Sequence, residues 1–116
     1  MRLALWTVTF VTALAAGSAS AAIIPASAAR SHVGQHVTVQ GVVSDAFHQG
    51  GSGATIIKVG GDAVFEAVFY TDSDGLPYPD PVSLPGRTVS VTGTLIMDGD
   101  TPEILVTTPS QIKVGH

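Results

Sequence analysis

His32, His36 and His48, two short acidic runs and a small set of aromatics are the residues of this chain with chemistry to offer. His32 and His36 stand four apart, the spacing that aligns two zinc ligands on one helix face. Gly34 lies between them, and a glycine there ends a helix rather than continuing it, so the two imidazoles diverge. His48 stands far along the chain in the glycine-rich stretch "HQGGSG", and no metal site is expected. The runs "TDSDG" (71–75) and "DGDTPE" (98–103) gather carboxylates as a hard cation would require. The first lacks a closing glutamate and the second has no further acidic ligand in register, while Asp-Gly between strand-like runs is a turn signal in its own right. Both read as turns, although Asp45, Asp98 and Asp100 could form an acidic patch suited to a cationic partner. Catalysis finds no support. The chain has no cysteine and no G-x-S-x-G elbow, and His48-Gln49-Gly50 has no serine–base–acid set beside it. The expectation is a non-enzymatic protein without a cofactor.

The elements that position these residues begin after a leader. "MRLALWTVTFVTALAAGSASAA" opens with Arg2, runs apolar from Leu3 to Ala16 and ends on Ala19-Ser20-Ala21, the three-part pattern of a cleaved secretory signal peptide. Its 14 apolar residues fall short of the roughly 20 that a membrane-spanning helix needs. Residues 1–21 are thus read as the leader and 22–116 as one domain, without a transmembrane segment and secreted or periplasmic. With no cysteine, an exported domain of this size must rest on its core rather than on disulfides. Without Arg2 the chain carries 4 basic and 9 acidic residues, a poor match for a polyanion, whose binding is dominated by Lys and Arg contacts to phosphate.

From Ile23 to Gly34 a proline start, an alanine-rich middle and a terminal glycine favour a short helix. Everything after it alternates with a period of two or is continuously β-branched and aromatic: the stretch around Val37–Val43, then Ala54–Val59, Ala63–Thr71, Arg87–Met97 and the closing "EILVTT" and "QIKV". The connection 72–86 holds four prolines that cannot pair inside a sheet. One pattern occurs twice. "GQHVTVQG" (34–41) and "GRTVSVTG" (86–93) share G-x-x-V-x-V-x-G at an offset of 52 residues. The residues that follow the two copies do not match, so they read as two strands with one geometric task rather than as a duplicated module. In each, the inner glycine, Gly41 or Gly93, is expected to let a long strand bend around a small barrel.

Together "GQHVTVQGVV", the glycine-split hairpin, "GRTVSVTGTL", "DGDTPEILV" and "PSQIKV" resemble the oligonucleotide/oligosaccharide-binding (OB) fold, and more narrowly the short exported bacterial OB proteins related to anticodon-binding-type OB domains. The resemblance runs from His32 to Val114. It implies an all-β, five-stranded Greek-key barrel with a short N-terminal helix, in which the proline-rich connection replaces the usual helix between the third and fourth strands. It also implies a ligand face across the second and third strands, between two loops. Carried onto this chain, that face draws on Lys58 or Ile57, on Phe65, Phe69 and Tyr70, on His48 in the first loop, and on Asp98 and Asp100 in the second. Phe65 and Phe69, four apart on a strand, share one face and can equally fill the core, whereas Tyr70 points the other way. Secreted nucleases built on this barrel cluster Asp, Arg and Glu in a pattern that has no match here. The function implied is a binding module for single-stranded nucleic acid or an oligosaccharide. The alternative is a protein-interaction or envelope-stress domain that uses its acidic loops or strand edges. Ligand identity and oligomeric state stay open at this level.

Overall fold

A computed structural model describes residues 21–49, 51, 53–70 and 78–115. The leader expected over 1–21, except Ala21, and the acidic run 71–75 lie outside the described residues. Eight strands form: β1 (Ala22–Pro25), β2 (His36–Gln49), β3 (Ala54–Val59), β4 (Phe65–Tyr70), β5 (Thr88–Thr94), β6 (Ile96–Asp98), β7 (Thr101–Val106) and β8 (Ile112–Val114). They make one sheet in the order β6-β7-β4-β3-β2-β5-β8, with β1 added alongside β2. The pairs β1–β2 and β4–β7 are parallel and the remainder antiparallel.

The twin motifs turn out to be partners of each other. Val39 faces Val91 at the centre of the β2–β5 ladder, while Val37 faces Gly93 and Gly41 faces Val89. Both ends of the pairing close alike. Gly34 N–H donates to Leu95 O (2.8 Å) and Leu95 N–H to Gln35 O (3.0 Å); Gly86 N–H donates to Val43 O (2.8 Å) and Val43 N–H to Arg87 O (2.8 Å). The two segments are therefore related by a local two-fold axis through Val39 and Val91. The outer glycines Gly34 and Gly86 sit at φ 92° and 89° with open space around them, so each supplies a left-handed turn into its strand.

The inner glycines make room for core side chains. Neither Gly41 nor Gly93 has a positive φ. A Cβ on Gly41 would lie 2.7 Å from Val59 Cγ1, and one on Gly93 2.6 Å from Ile104 Cγ2. Each leaves room for a core side chain of another strand to pack onto the backbone. The irregularities in pairing come two residues later. The β2–β3 register slips between Val43 and Asp45, where β2 leaves β5 and takes β3 as partner, and the run β5–β6 breaks at Leu95.

That break decides the closure of the sheet. The expected barrel has five strands in a closed ring, but here only the short β6 pairs with β7, and no ladder joins β5 to β7. In its place, Gln111 Nε2 donates to Thr92 O of β5 (3.0 Å) and to Leu105 O of β7 (3.3 Å). Its Oε1 accepts from the backbone N–H of Thr107 (2.7 Å) and Thr108 (3.0 Å). One side chain bridges the seam that hydrogen-bonded strands close in a full barrel.

The N-terminal segment also departs from expectation. Ile23 and Ile24 lie in β1, opposite Thr38 and Val39, because two β-branched residues pair more readily than they coil. Only Ala26–His32 is helical, as a 3-10 helix. Its buried Ala26 and Ala29 are spaced by three, the repeat of that helix. The core that these elements enclose is led by Phe65, Phe69, Ile57, Leu84, Leu95 and Ile104, all fully buried.

Candidate functional site

Residues paired directly across a ladder share a face, and the registers assemble two rows on the outer surface of β2, β3, β4 and β7. Phe47 pairs with Ile56, Ile56 with Val68, and Val68 with Leu105. This apolar row crosses four strands and spans about 14 Å at the usual strand spacing. Phe47 and Leu105 at its ends are 37% and 43% exposed, whereas Ile56 is half-buried and Val68 buried between them. Tyr70, 51% exposed, lies on the same face two residues beyond Val68.

The neighbouring row is charged: Asp45 opposes Lys58, Lys58 opposes Glu66, and Glu66 opposes Glu103. Lys58 Nζ makes an ion pair with Asp62 (3.2 Å) and stands 5.9 Å from the centroid of the Phe47 ring, within cation–π reach. Glu66 and Glu103 meet Asp98 of β6, with carboxylate oxygens of all three within 4.8 Å of one another. Burial, then the charge of Asp98 and its hydrogen bond, then the charge of Glu66 push the Glu103 carboxyl up to about 7. Three carboxylates so disposed could each offer one oxygen to a hard cation.

The inner side of the same strands opens on a cleft of about 480 Å³, between the β2–β3 hairpin and the proline-rich segment. His48 Nδ1 and the fully buried Thr55 Oγ1 share a 2.5 Å hydrogen bond at its floor, which satisfies the hydroxyl. Tyr78 stacks on Phe69 with ring centroids 4.6 Å apart and planes at 15°. Asp80 Oδ1 accepts from Val82 N–H (3.1 Å) and caps the 3-10 turn Pro81–Ser83.

The residues expected to bind ligand are thus split among four places. Lys58 and Tyr70 are on the outer face, and Asp98 joins the acidic cluster beside it. Phe65 and Phe69 have no exposed surface and belong to the core, the other of the two roles open to them; Ile57 is buried with them. His48 lines the inner cleft. Asp100 occupies the β6–β7 turn, and its carbonyl accepts from Arg30 Nη2 (2.6 Å). The patch expected from Asp45, Asp98 and Asp100 is instead centred on Glu66, Asp98 and Glu103. Sequence reasoning passed over Phe47, Ile56, Val68 and Leu105. Their alternation is visible in each strand, but only the pairing registers make a row of them.

No family model matches the chain, and no curated protein matches it in sequence. Among solved structures, it is similar to the crystal structure of a chain described as an aspartyl-tRNA synthetase from Leishmania major Friedlin. The TM-score is 0.52 and the identity 14%, over 90% of this chain and 23% of the other. This chain therefore spans about a quarter of that protein's length. The likeness is one of fold, and it is compatible with an OB-like arrangement of the sheet.

Proposed function

We propose that this chain is an exported, non-catalytic binding module of OB type that takes its ligand on the outer face of β2, β3, β4 and β7. The observation that carries this reading is the apolar row Phe47–Ile56–Val68–Leu105, flanked by Tyr70. Phe47, Leu105 and Tyr70 are exposed around the half-buried Ile56 and the buried Val68, and exposed apolar side chains with a polar rim are the mark of an interaction site. The rim selects the class of ligand. Asp45, Glu66, Asp98 and Glu103 border the row, and Lys58 is already paired with Asp62. Arg30 and Arg87 donate to backbone carbonyls, so little positive charge is left to meet phosphates. A protein segment with apolar side chains and basic flanks fits this face better than a polyanion does.

Single-stranded nucleic acid is the second reading. The fold likeness to an aspartyl-tRNA synthetase favours it, as do two exposed rings on this face, Phe47 near Lys58 and Tyr70, since bases stack on such rings. One titration separates the two, followed by amide resonances at low ionic strength with an amphipathic Lys/Leu peptide and with oligo(dT) as probes. The peptide should move the resonances of Phe47, Ile56, Val68 and Leu105 saturably, and Leu105→Glu should weaken it at least ten-fold. Saturable movement of the same residues by oligo(dT) alone would install the second reading. Silence from both probes would end the assignment of this face.

A further inference from the structure

The inner cleft lies on the opposite side of the sheet from the row above, and its chemistry is different. Its volume of about 480 Å³ is in the range of small-molecule sites. Pro79, Pro81 and the exposed Val82 give it apolar edges; among the described residues Asp80 brings a carboxylate and neither Lys nor Arg lines it. Asp80 makes no ion pair among the described residues, and its single cap to Val82 N–H leaves further acceptor positions on the carboxylate. Tyr78 lies against the buried Phe69 on one ring face, which fixes its plane and leaves the rest of the ring to the cleft.

The wall is preorganised. Both prolines have fixed φ, the Asp80 cap holds the turn, and Leu84, 1% exposed, anchors its end in the core. A carboxylate and a fixed aromatic ring lining one cleft, with apolar groups around them, are the combination that attracts an alkylated ammonium group. We propose that this cleft is a binding site for a small organic cation. The charged head sits between the Asp80 carboxylate and the Tyr78 ring, and the apolar body lies on Pro79, Pro81 and Val82. The net charge of −4 draws such a ligand toward the protein and repels anionic competitors.

The test uses choline as the probe and its uncharged carbon analogue 3,3-dimethylbutan-1-ol as the control, followed by the resonances of Tyr78, Val82 and His48. Choline should shift them saturably, and the neutral analogue should bind at least ten-fold more weakly. Asp80→Asn, which keeps an N-cap residue and so the turn, should weaken choline at least ten-fold while the spectrum of the core stays unchanged. Tyr78→Leu should weaken it as well without altering the preference order of any residual binding. Equal binding of both probes, indifference to Asp80→Asn in the folded protein, or no saturable shift at tens of millimolar choline would each overturn the proposal.

Discussion

Glu103 holds its proton where an ordinary carboxyl has lost it. Burial is the first cause, then the charge and hydrogen bond of Asp98 beside it, then Glu66 across the parallel β4–β7 ladder, while the described ion pair uses Lys58 for Asp62 instead. Like charges directly opposite on a sheet are unfavourable, and protonation relieves them. The folded-state pKa is raised from 4.5 to about 7, so the native state binds the proton more tightly than the unfolded chain. The associated stability is fully present below pH 4.5 and is lost as pH rises toward and through about 7. Glu103→Gln should therefore flatten the difference in melting temperature between pH 4.5 and 8. At pH 8 it should exceed the parent by about 1–2 kcal/mol, a pKa unit being worth about 1.4 kcal/mol before screening of a partly exposed group. A variant whose melting temperature keeps the parent's pH slope would show that the three carboxylates do not interact as their distances imply.

At the scale of elements, the weak point is the seam between β5 and β7. It depends on two contacts: Gln111 bridging Thr92 and Leu105, and Ile104 resting on the bare backbone of Gly93. Gln111→Ala removes hydrogen bonds to two carbonyls and two amides, all but the one to Thr92 O exposed to solvent, and such a bond contributes a net of about 0.5–1.5 kcal/mol. Gly93→Val forces Ile104 away from β5, and overpacking of this kind costs about 1–3 kcal/mol. Both variants should lower the melting temperature, and Gln111→Ala should first speed hydrogen exchange in β5 and β7 while leaving the β2–β3 hairpin protected. Uniform loss of protection across the sheet would mean that the seam is not a separate unit. The two-fold pairing of 34–43 with 86–95 is the stiffer counterpart of that seam, since a complete ladder closes it with matching hydrogen bonds at both ends.

At the scale of the molecule, charge decides what the surface can meet. The sequence as a whole carries 5 basic and 9 acidic residues, and among the described residues Lys58 is the cation placed in the outer face. Binding of a basic peptide there should weaken as salt rises, because partly exposed charges are screened beyond about 8 Å at physiological ionic strength. The apolar row itself should be insensitive to salt, so affinity should fall to a plateau rather than to nothing. A salt-independent affinity would assign the binding to the apolar row alone and remove the acidic rim from recognition. No helix among the described residues is long and apolar enough to cross a membrane.

The β-rich architecture, the core role open to Phe65 and Phe69, and the equivalence of the two G-x-x-V-x-V-x-G strands were legible in the sequence by itself. Each rests on local alternation of apolar and polar residues, which the chain displays without reference to anything distant. The bend expected at Gly41 and Gly93 was legible only as the presence of an unusual glycine. Whether that glycine turns the backbone or admits Val59 and Ile104 depends on which strand packs above it. The outer row was hidden for the same reason: Phe47 and Leu105 reach one surface only through the registers of three successive ladders. Glu66 and Glu103 meet only through the register of the parallel β4–β7 ladder, and Tyr78 and His48 line one cleft only because the proline-rich segment packs back on the core through Leu84. Local pattern determined which residues are inside; long-range pairing alone decided which outside residues stand together.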